Sequence, residues 1–465
     1  MLSDQQSICA VSTPHGSGAI AVLRISGDDS IVIADKIFRS VTPDKKLIDQ
    51  KGNTAHYGSV IFDDEIIDDV IVTLFHKPNS FSGENTVEIS CHGSTFIQQK
   101  ILQLIIKNGA RMALPGEFTQ RAFLNGKMDL SQAEAVADLI SASTSAAHSL
   151  AMKQMKGGVS KEIYQLRDEL LNFISLVELE LDFSEEDVEF ANRESLLELT
   201  MKIHRLINKL ADSFQYGNAI KNGIPVAIIG DTNVGKSTLL NILLNEEKAI
   251  VSDIAGTTRD VIEDVMTIDG IQFRFIDTAG IRATTDTIEN LGIERSFEKI
   301  RQASIVLVMI DSRSGYEQIR DFIEKVRENL EGKYAALVIN KIDKVDDDQL
   351  NHVEIISDEY SIPYIPISAK KDINLDQLTN YLTKTVKASN TAENDVIITN
   401  LRHYEALINA GESINRVIDG IEMKISGDFL AQDIRECLYY LGTITGNISN
   451  DEVLGNIFKN FCIGK

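Results

Sequence analysis

The sequence predicts a multidomain protein: an α+β amino-terminal domain, an α-helical domain divided in two, and an α/β domain inserted between its halves. Three observations predict it. The chain has 465 residues and 43% hydrophobic content, enough for roughly three cores of about 150 residues each. The apolar pattern changes from strand-like runs to helical spacing, then to alternating strands and helices, and back to helical spacing. A compact host whose ends lie close together can carry such an insert without losing its own core. The domains expected are residues 1–122, 123–220 for the first helical part, 221–386 for the insert and 387–465 for the second helical part.

In the first domain, short β-rich runs such as Ala19 to Ile25 and Asp69 to Phe75 are punctuated by Gly, Pro and Asn, an α+β pattern. From Leu130 onward, Leu130, Ala133, Ala137 and Ile140, then Leu166, Leu170, Phe173, Val177 and Leu181, recur at helical spacing. The acidic stretch Asp182 to Glu189 reads as a solvated helix end or loop. Strands and helices alternate after Ile220, and past Val386 helical periodicity returns with Leu430, Ile434, Leu438 and Leu441 on one face.

Forty-six basic against 69 acidic residues give a net charge of −23. Such a surface disfavours a broad electrostatic contact with nucleic acid or anionic lipid. No DNA or membrane partner is expected, and any RNA contact is local or supplied by a partner. No basic region followed by an apolar run opens the chain, and no stretch of about 18 apolar residues occurs, so a cytoplasmic location is expected. Cys9, Cys91, Cys437 and Cys462 form no Cys-x-x-Cys pair and read as reduced thiols.

The chemistry concentrates in the insert. An apolar strand, Pro225 to Gly230, leads into Gly230-Asp-Thr-Asn-Val-Gly235-Lys236-Ser237, followed by a helix over Thr238 to Leu244. This is the P-loop pattern of a Ras-like domain. Its glycines let backbone N–H groups surround phosphate oxygens, Lys236 reaches the β- and γ-phosphates, and Ser237 ligates Mg²⁺. Asn233, Val234, Gly235, Lys236, Ser237 and Thr238 are the candidate contacts there. A second strand, Phe273 to Ile276, ends in Asp277-Thr278-Ala279-Gly280, with Asp277 toward the magnesium and the Gly280 amide toward the γ-phosphate. A third, Ala335 to Ile339, precedes Asn340-Lys341-Ile-Asp343, whose carboxylate can accept both N–H groups of a guanine edge, a donor pair adenine lacks. Ser368-Ala369-Lys370 supplies the last loop against the base. GTP is the expected ligand. Between the P-loop and Asp277, the loop Ser252-Asp253-Ile254-Ala255-Gly256-Thr257-Thr258 is the expected switch, with Thr258 completing the magnesium shell. Ile281 stands where Ras-type proteins carry a water-orienting glutamine. The motifs alone therefore leave open whether GTP is hydrolysed or only bound.

Segments outside the motifs carry a resemblance over essentially the whole chain: Leu23-Arg24-Ile-Ser-Gly27, Pro78-Asn-Ser-Phe-Ser-Gly-Glu84, Pro115-Gly-Glu-Phe-Thr-Gln-Arg-Ala-Phe-Leu-Asn125, Asp253-Ile-Ala-Gly-Thr-Thr-Arg-Asp260 and the ending Phe461-Cys462-Ile-Gly-Lys465. On these the chain resembles the MnmE (TrmE) family of tRNA-modification GTPases. Cys462 also lies fourth from the end, as in a prenylation signal, but Gly464 and Lys465 do not suit one. The resemblance implies a potassium-dependent GTPase whose G domains approach each other across a homodimer. Asn233, with groups of Ser252, Ile254 and Thr257, would hold K⁺, while Ser237 and Thr258 hold Mg²⁺. Glu289 matches the family's water-positioning acid, so the catalytic candidates are Glu289, Lys236 and Cys462, though the hydrophobic neighbour Phe461 suits Cys462 better to a buried structural thiol. Gly230-Asp231-Thr232-Asn233 departs from the family's commoner Gly-Arg-Pro-Asn at positions outside the expected ligands.

The amino-terminal domain resembles a tetrahydrofolate-binding, dimerising domain, with Arg24, Glu84, Lys127 and Lys465 at folate-contacting positions. A cationic pair can engage a glutamate tail while a carboxylate accepts pterin N–H groups. The implied reaction adds a carboxymethylaminomethyl or aminomethyl group at C5 of a tRNA wobble uridine, in a heterotetramer with an MnmG-type partner. No Gly-x-Gly-x-x-Gly fingerprint follows a strand, so any FAD belongs to that partner. The alternative is a regulatory or ribosome-assembly GTPase, which predicts no folate site and leaves the ending unexplained.

Overall fold

Seven strands form the amino-terminal sheet: β1 Ile8–Val11, β2 Ile20–Ser26, β3 Phe38–Ser40, β4 Thr54–Phe62, β5 Glu65–Phe75, β6 Thr86–His92 and β7 Arg111–Met112, in the order β3-β4-β5-β6-β2-β1-β7. In this computed structural model the described residues are 6–182, 193–245, 264–276, 297–346, 351–388, 396–448, 451–459, 461 and 464. All pairings in the sheet are antiparallel except β1 with β7. Of the runs read as strands from sequence, Asp69 to Phe75 falls within β5, and Ala19 to Ile25 falls within β2 except for Ala19. Because side chains alternate along a strand, Leu23, Ile25, Val70, Val72, Leu74, Val87 and Ile89 share a core with helices Ser30–Ile37 and Thr95–Lys107. The same alternation puts Arg24, paired in register with Glu88, on the other face.

The chain divides into two units. The first comprises Met1–Ser141, Ala151–Ile207 and Ala406–Lys465, so this sheet shares a unit with helices from both ends of the chain. In it, helix Gly158–Asp182 lies along Gly427–Thr445. The expected stripes meet there: Leu166, Leu170, Phe173 and Val177 are buried, as are Leu430, Ile434, Leu438 and Leu441. Helix Leu130–Ser141 departs from its expected stripe, since Leu130 and Ala133 are buried with Leu454 and Phe458 whereas Ile140 is exposed. The small core that receives the first turn does not reach the last one. Cys9, Cys91 and Cys437 are buried free thiols. Burial pushes Cys9 and Cys437 up to about 12 and Cys91 to about 11, out of thiolate chemistry.

The second unit, Ala142–Leu150 with Asn208–Glu405, is built on a six-stranded sheet. Its strands are β8 Ile224–Ile229, β9 Asp264–Ile268, β10 Ile271–Phe275, β11 Ile305–Asp311, β12 Tyr334–Asn340 and β13 Tyr364–Pro366, in the order β13-β12-β11-β8-β10-β9. Only β9 runs antiparallel to its neighbour. Both faces are covered, which is why β8, β11 and β12 read as near-continuous apolar runs. Ile228, Leu307 and Val338 pack against Leu239 and Leu243 of helix Lys236–Asn245 and Leu378 of helix Leu375–Ala388. Ile229, Val306 and Ile339 pack against Ile319 and Ile323 of helix Tyr316–Leu330 and Ile356 of helix Asn351–Tyr360. In such a doubly covered parallel sheet, ligands bind outside the carboxyl ends of the strands. Among the described residues no helix is long and apolar enough to cross a membrane.

Candidate functional site

The carboxyl end of β8 opens into the loop 230–235, which feeds the helix Lys236–Asn245. Gly230 and Gly235 have φ of 148° and 109°. A Cβ on Gly230 would lie 2.2 Å from the Met309 carbonyl oxygen, and one on Gly235 2.3 Å from Asn340 Nδ2. Only glycine fits either position, so the loop backbone lies close against β11 and β12. Asn233 is left-handed at φ 64° and exposed, with Val234 buried beside it. Ser237 and Thr238 fall in the first turn of the helix, the end whose N–H groups and dipole favour an anion. The Lys236 ammonium donates to the carbonyls of Gly230 and Asp231, both at 2.7 Å. Burial, and then Lys299, pull its pKa down while Asp231 opposes. A phosphate against this ammonium would reverse that shift.

The base-recognition loops are tied directly to the P-loop. Asn340, buried at the end of β12, donates from Nδ2 to the Val234 carbonyl at 2.8 Å and accepts the Ala369 amide at Oδ1 at 2.9 Å. Lys341 donates to the Asn233 carbonyl at 2.7 Å. Ser368 donates to Asp343 Oδ1 at 2.6 Å, and Lys371 lies 3.6 Å from Oδ2. The Ser368 hydroxyl, with Lys371, holds the Asp343 carboxyl below its ordinary value against the desolvation that would raise it. Asp343 is therefore an ionised acceptor, the form needed to receive two N–H donors. Lys370 is exposed next to the buried Ala369. Ser252, Asp253, Ile254, Ala255, Gly256, Thr257, Thr258, Asp277, Thr278, Ala279, Gly280 and Glu289 lie outside the described residues.

A second constellation sits in the amino-terminal unit. The Arg24 guanidinium lies 5.5 Å from the Phe81 ring centre and 5.6 Å from that of Phe118, and it donates to Glu88 Oε1 at 2.8 and 3.0 Å. Glu84 accepts the Ser26 hydroxyl at 2.7 Å and Arg121 Nη1 at 3.2 Å on both oxygens. Lys127 donates to the Pro78 carbonyl at 2.9 Å. Gly83, at φ 79°, would place a Cβ 2.9 Å from that of Asn125, so the loop 78–84 closes on the turn after helix Glu117–Leu124. Arg24, Glu84 and Lys127 are thus gathered around one loop. Cys462 and Lys465 lie outside the described residues. Their neighbours return to this sheet: the Gly464 carbonyl accepts Ser12 Oγ at 3.2 Å, and Gly116, at φ 68°, leaves room for Phe458 and Phe461.

Two sets of supporting residues were missed from sequence. Arg121, 9% exposed, bridges Glu84 and Glu117, and Arg111 grips Glu117 at 2.6 and 2.8 Å. Asp311, at the end of β11, receives both Lys341 and Arg313. The Glu117/Arg121 spacing of i, i+4 beside the apolar Phe118 and Ala122 was the available signal.

A parallel strand, Gly-x-x-x-x-Gly-Lys-Ser loop and helix, hydrogen-bonded to Asn-Lys-x-Asp and Ser-Ala-Lys loops, define a guanine-nucleotide-binding P-loop domain of the GTPase class. Two family models match beyond that domain's motifs: MnmE helical domain over residues 130–462 and GTP-binding protein TrmE N-terminus over residues 7–127. The tRNA modification GTPase MnmE of Bacteroides thetaiotaomicron is 55% identical over 465 residues, spanning 99% of this chain and all of that one. The protein of the same name from Flavobacterium johnsoniae is 52% identical over 466 residues, again spanning 99% of this chain and all of its own. The chain belongs to the MnmE family.

Proposed function

We propose that this chain is a GTPase of tRNA modification, potassium-activated, that works with an MnmG-type FAD protein to add a carboxymethylaminomethyl or aminomethyl group at C5 of the wobble uridine of certain tRNAs. The observation that carries the reading is the joining of the base loop to the P-loop through Asn340 and Lys341, in a chain 55% identical to tRNA modification GTPase MnmE.

The residues divide the work. Asp343 accepts the guanine N–H groups, Gly235, Lys236, Ser237 and Thr238 hold phosphate oxygens, and Asp277 and Gly280 complete that end. The two glycine positions that admit no Cβ seat the loop backbone against β11 and β12, at the carboxyl ends of the strands where a ligand binds. Ser237 with Thr258 would hold Mg²⁺, and Asn233 with Ser252, Ile254 and Thr257 would hold K⁺. Such hydroxyl and carbonyl oxygens are the donors hard cations take. When bound, the two cations neutralise charge that develops on the phosphates. Glu289 positions the attacking water. In the amino-terminal unit, the Arg24 cation between two rings and the Glu84 carboxylate suit a flat polar ring with an anionic tail. A tetrahydrofolate bound by Arg24, Glu84, Lys127 and Lys465 would supply the one-carbon unit close to Cys462. The assembly is a cytoplasmic homodimer that joins its partner as a heterotetramer.

The test is GTP hydrolysis in K⁺ against Na⁺ buffer, with Asn233→Ala alongside. Strong K⁺ stimulation, lost in the variant, is expected; equal rates in both salts would overturn the ion assignment. Wobble uridines that stay normally modified in cells lacking the protein would sink the modification role.

A further inference from the structure

With Asn340, Lys341 links the base loop to the P-loop, and its geometry needs a cause. A lysine loses rotamer entropy when it is fixed and has no direction of its own. Here it also occupies a left-handed backbone position, φ 68°, and reaches a second left-handed residue, Asn233, at φ 64°. Asparagine tolerates that region but a lysine there is strained, so something must hold Lys341 in place.

Asp311 supplies the hold. Its Oδ2 accepts Lys341 Nζ at 2.7 Å, in a pair where the side chains are only 14% and 22% exposed. At that burial the pair escapes most of the screening that makes surface ion pairs weak. The adjoining backbone works the same way, since the Ser312 amide donates to the Asn340 carbonyl and Ser312 Oγ to the Lys341 carbonyl, both at 2.9 Å. The end of β11 therefore grips the residue from its backbone and its ammonium, and aims that ammonium at the P-loop. Arg313 shares the carboxylate at 2.7 and 2.9 Å but is half exposed, where solvent screens the pair.

We infer that Asp311 is a positioning residue for nucleotide retention, acting through Lys341 to hold the Asn233 bend of the P-loop in its binding shape. The inference rests on the reading of this site as a guanine-nucleotide site. Full-length protein that bound no fluorescent GDP would sink that reading, whereas the comparison of variants addresses Asp311 alone.

The experiment is a double-mutant cycle read as the dissociation rate of fluorescent GDP, with Asp311→Asn, Lys341→Ala and the double variant. Asp311→Asn is expected to speed release about tenfold in the wild-type background and less than about twofold in the Lys341→Ala background. Arg313→Ala should leave release within about twofold. Equal acceleration by Asp311→Asn in both backgrounds, or an Arg313→Ala effect as large as that of Asp311→Asn, would overturn the proposal. Melting of each variant without nucleotide separates a folding defect from altered retention. Should Asp311→Asn not fold, Asp311→Glu, which keeps the charge one methylene further out, takes its place in the same cycle.

Discussion

Asn340→Ala tests the joint on which the nucleotide site is built. The side chain is 3% exposed and makes two hydrogen bonds to backbone groups that have no water to turn to: the Val234 carbonyl at 2.8 Å and the Ala369 amide at 2.9 Å. Truncation leaves a buried acceptor and a buried donor unpaired, about 1–3 kcal/mol for each. The sum is about 2–6 kcal/mol, which in a unit of this size lowers the melting temperature by roughly 4–24 °C. Scanning calorimetry of the full chain, followed by GDP titration at a temperature where the variant is folded, measures both consequences. Nucleotide affinity should fall with stability, because the same two bonds set the P-loop against Ser368 to Lys370. Asn340→Asp sharpens the test: it keeps the acceptor for Ala369 but turns an oxygen toward the Val234 carbonyl, so it should be at least as damaging. A loss below about 0.5 kcal/mol with unchanged GDP affinity would refute the reasoning.

Three further outcomes follow from the amino-terminal unit. Burial would raise the Glu117 carboxyl, but hydrogen bonds from Arg111, the Leu114 amide and Arg121 hold it below its ordinary 4.5. Its stabilising contribution is therefore whole above about pH 4.5 and is lost as pH falls through the lower folded value; urea midpoints from pH 7 to 3 should show an acid limb that Glu117→Gln flattens. Arg121→Ala removes the cation that Glu84 and Glu117 share, leaving Glu117 to Arg111, and should cost about 3 kcal/mol in unfolding of that unit, a change under about 1 kcal/mol marking the network as a surface one. Gly464→Ala, at φ 99° and with its Cβ 2.5 Å from the Val11 carbonyl oxygen, should unseat the tail and speed carboxypeptidase trimming; unchanged trimming would count against the docked ending.

What could be read from sequence and what could not differ by how far apart the cooperating residues lie. Gly230 to Ser237, Asn340 to Asp343 and Ser368 to Lys370 are each contiguous, because a few residues of backbone suffice to wrap a phosphate or face a base. Strand identities were legible for the same local reason, in β2, β5, β8, β10 and β12. Strand order was not, since a period of two fixes a residue's face and never its neighbour strand. Arg121 lies 37 residues from Glu84, Asp311 lies 30 from Lys341, and Asn340 lies 106 from Val234. The i, i+4 spacing from Glu117 beside the apolar Phe118 and Ala122 was the local sign that set Arg121 apart from an ordinary surface charge, whereas nothing local warned that Ile140 would be left exposed while Leu130 was buried. One rule would have reached Asp311. In a parallel sheet covered on both faces, the first polar residue past a buried strand sits where ligands bind. Asn340 ends β12 and Gly230 follows β8 on that pattern, and Asp311 ends the apolar run Ile305 to Ile310 in the same way. A carboxylate there is well placed to orient the lysine of the next loop, which is the arrangement found.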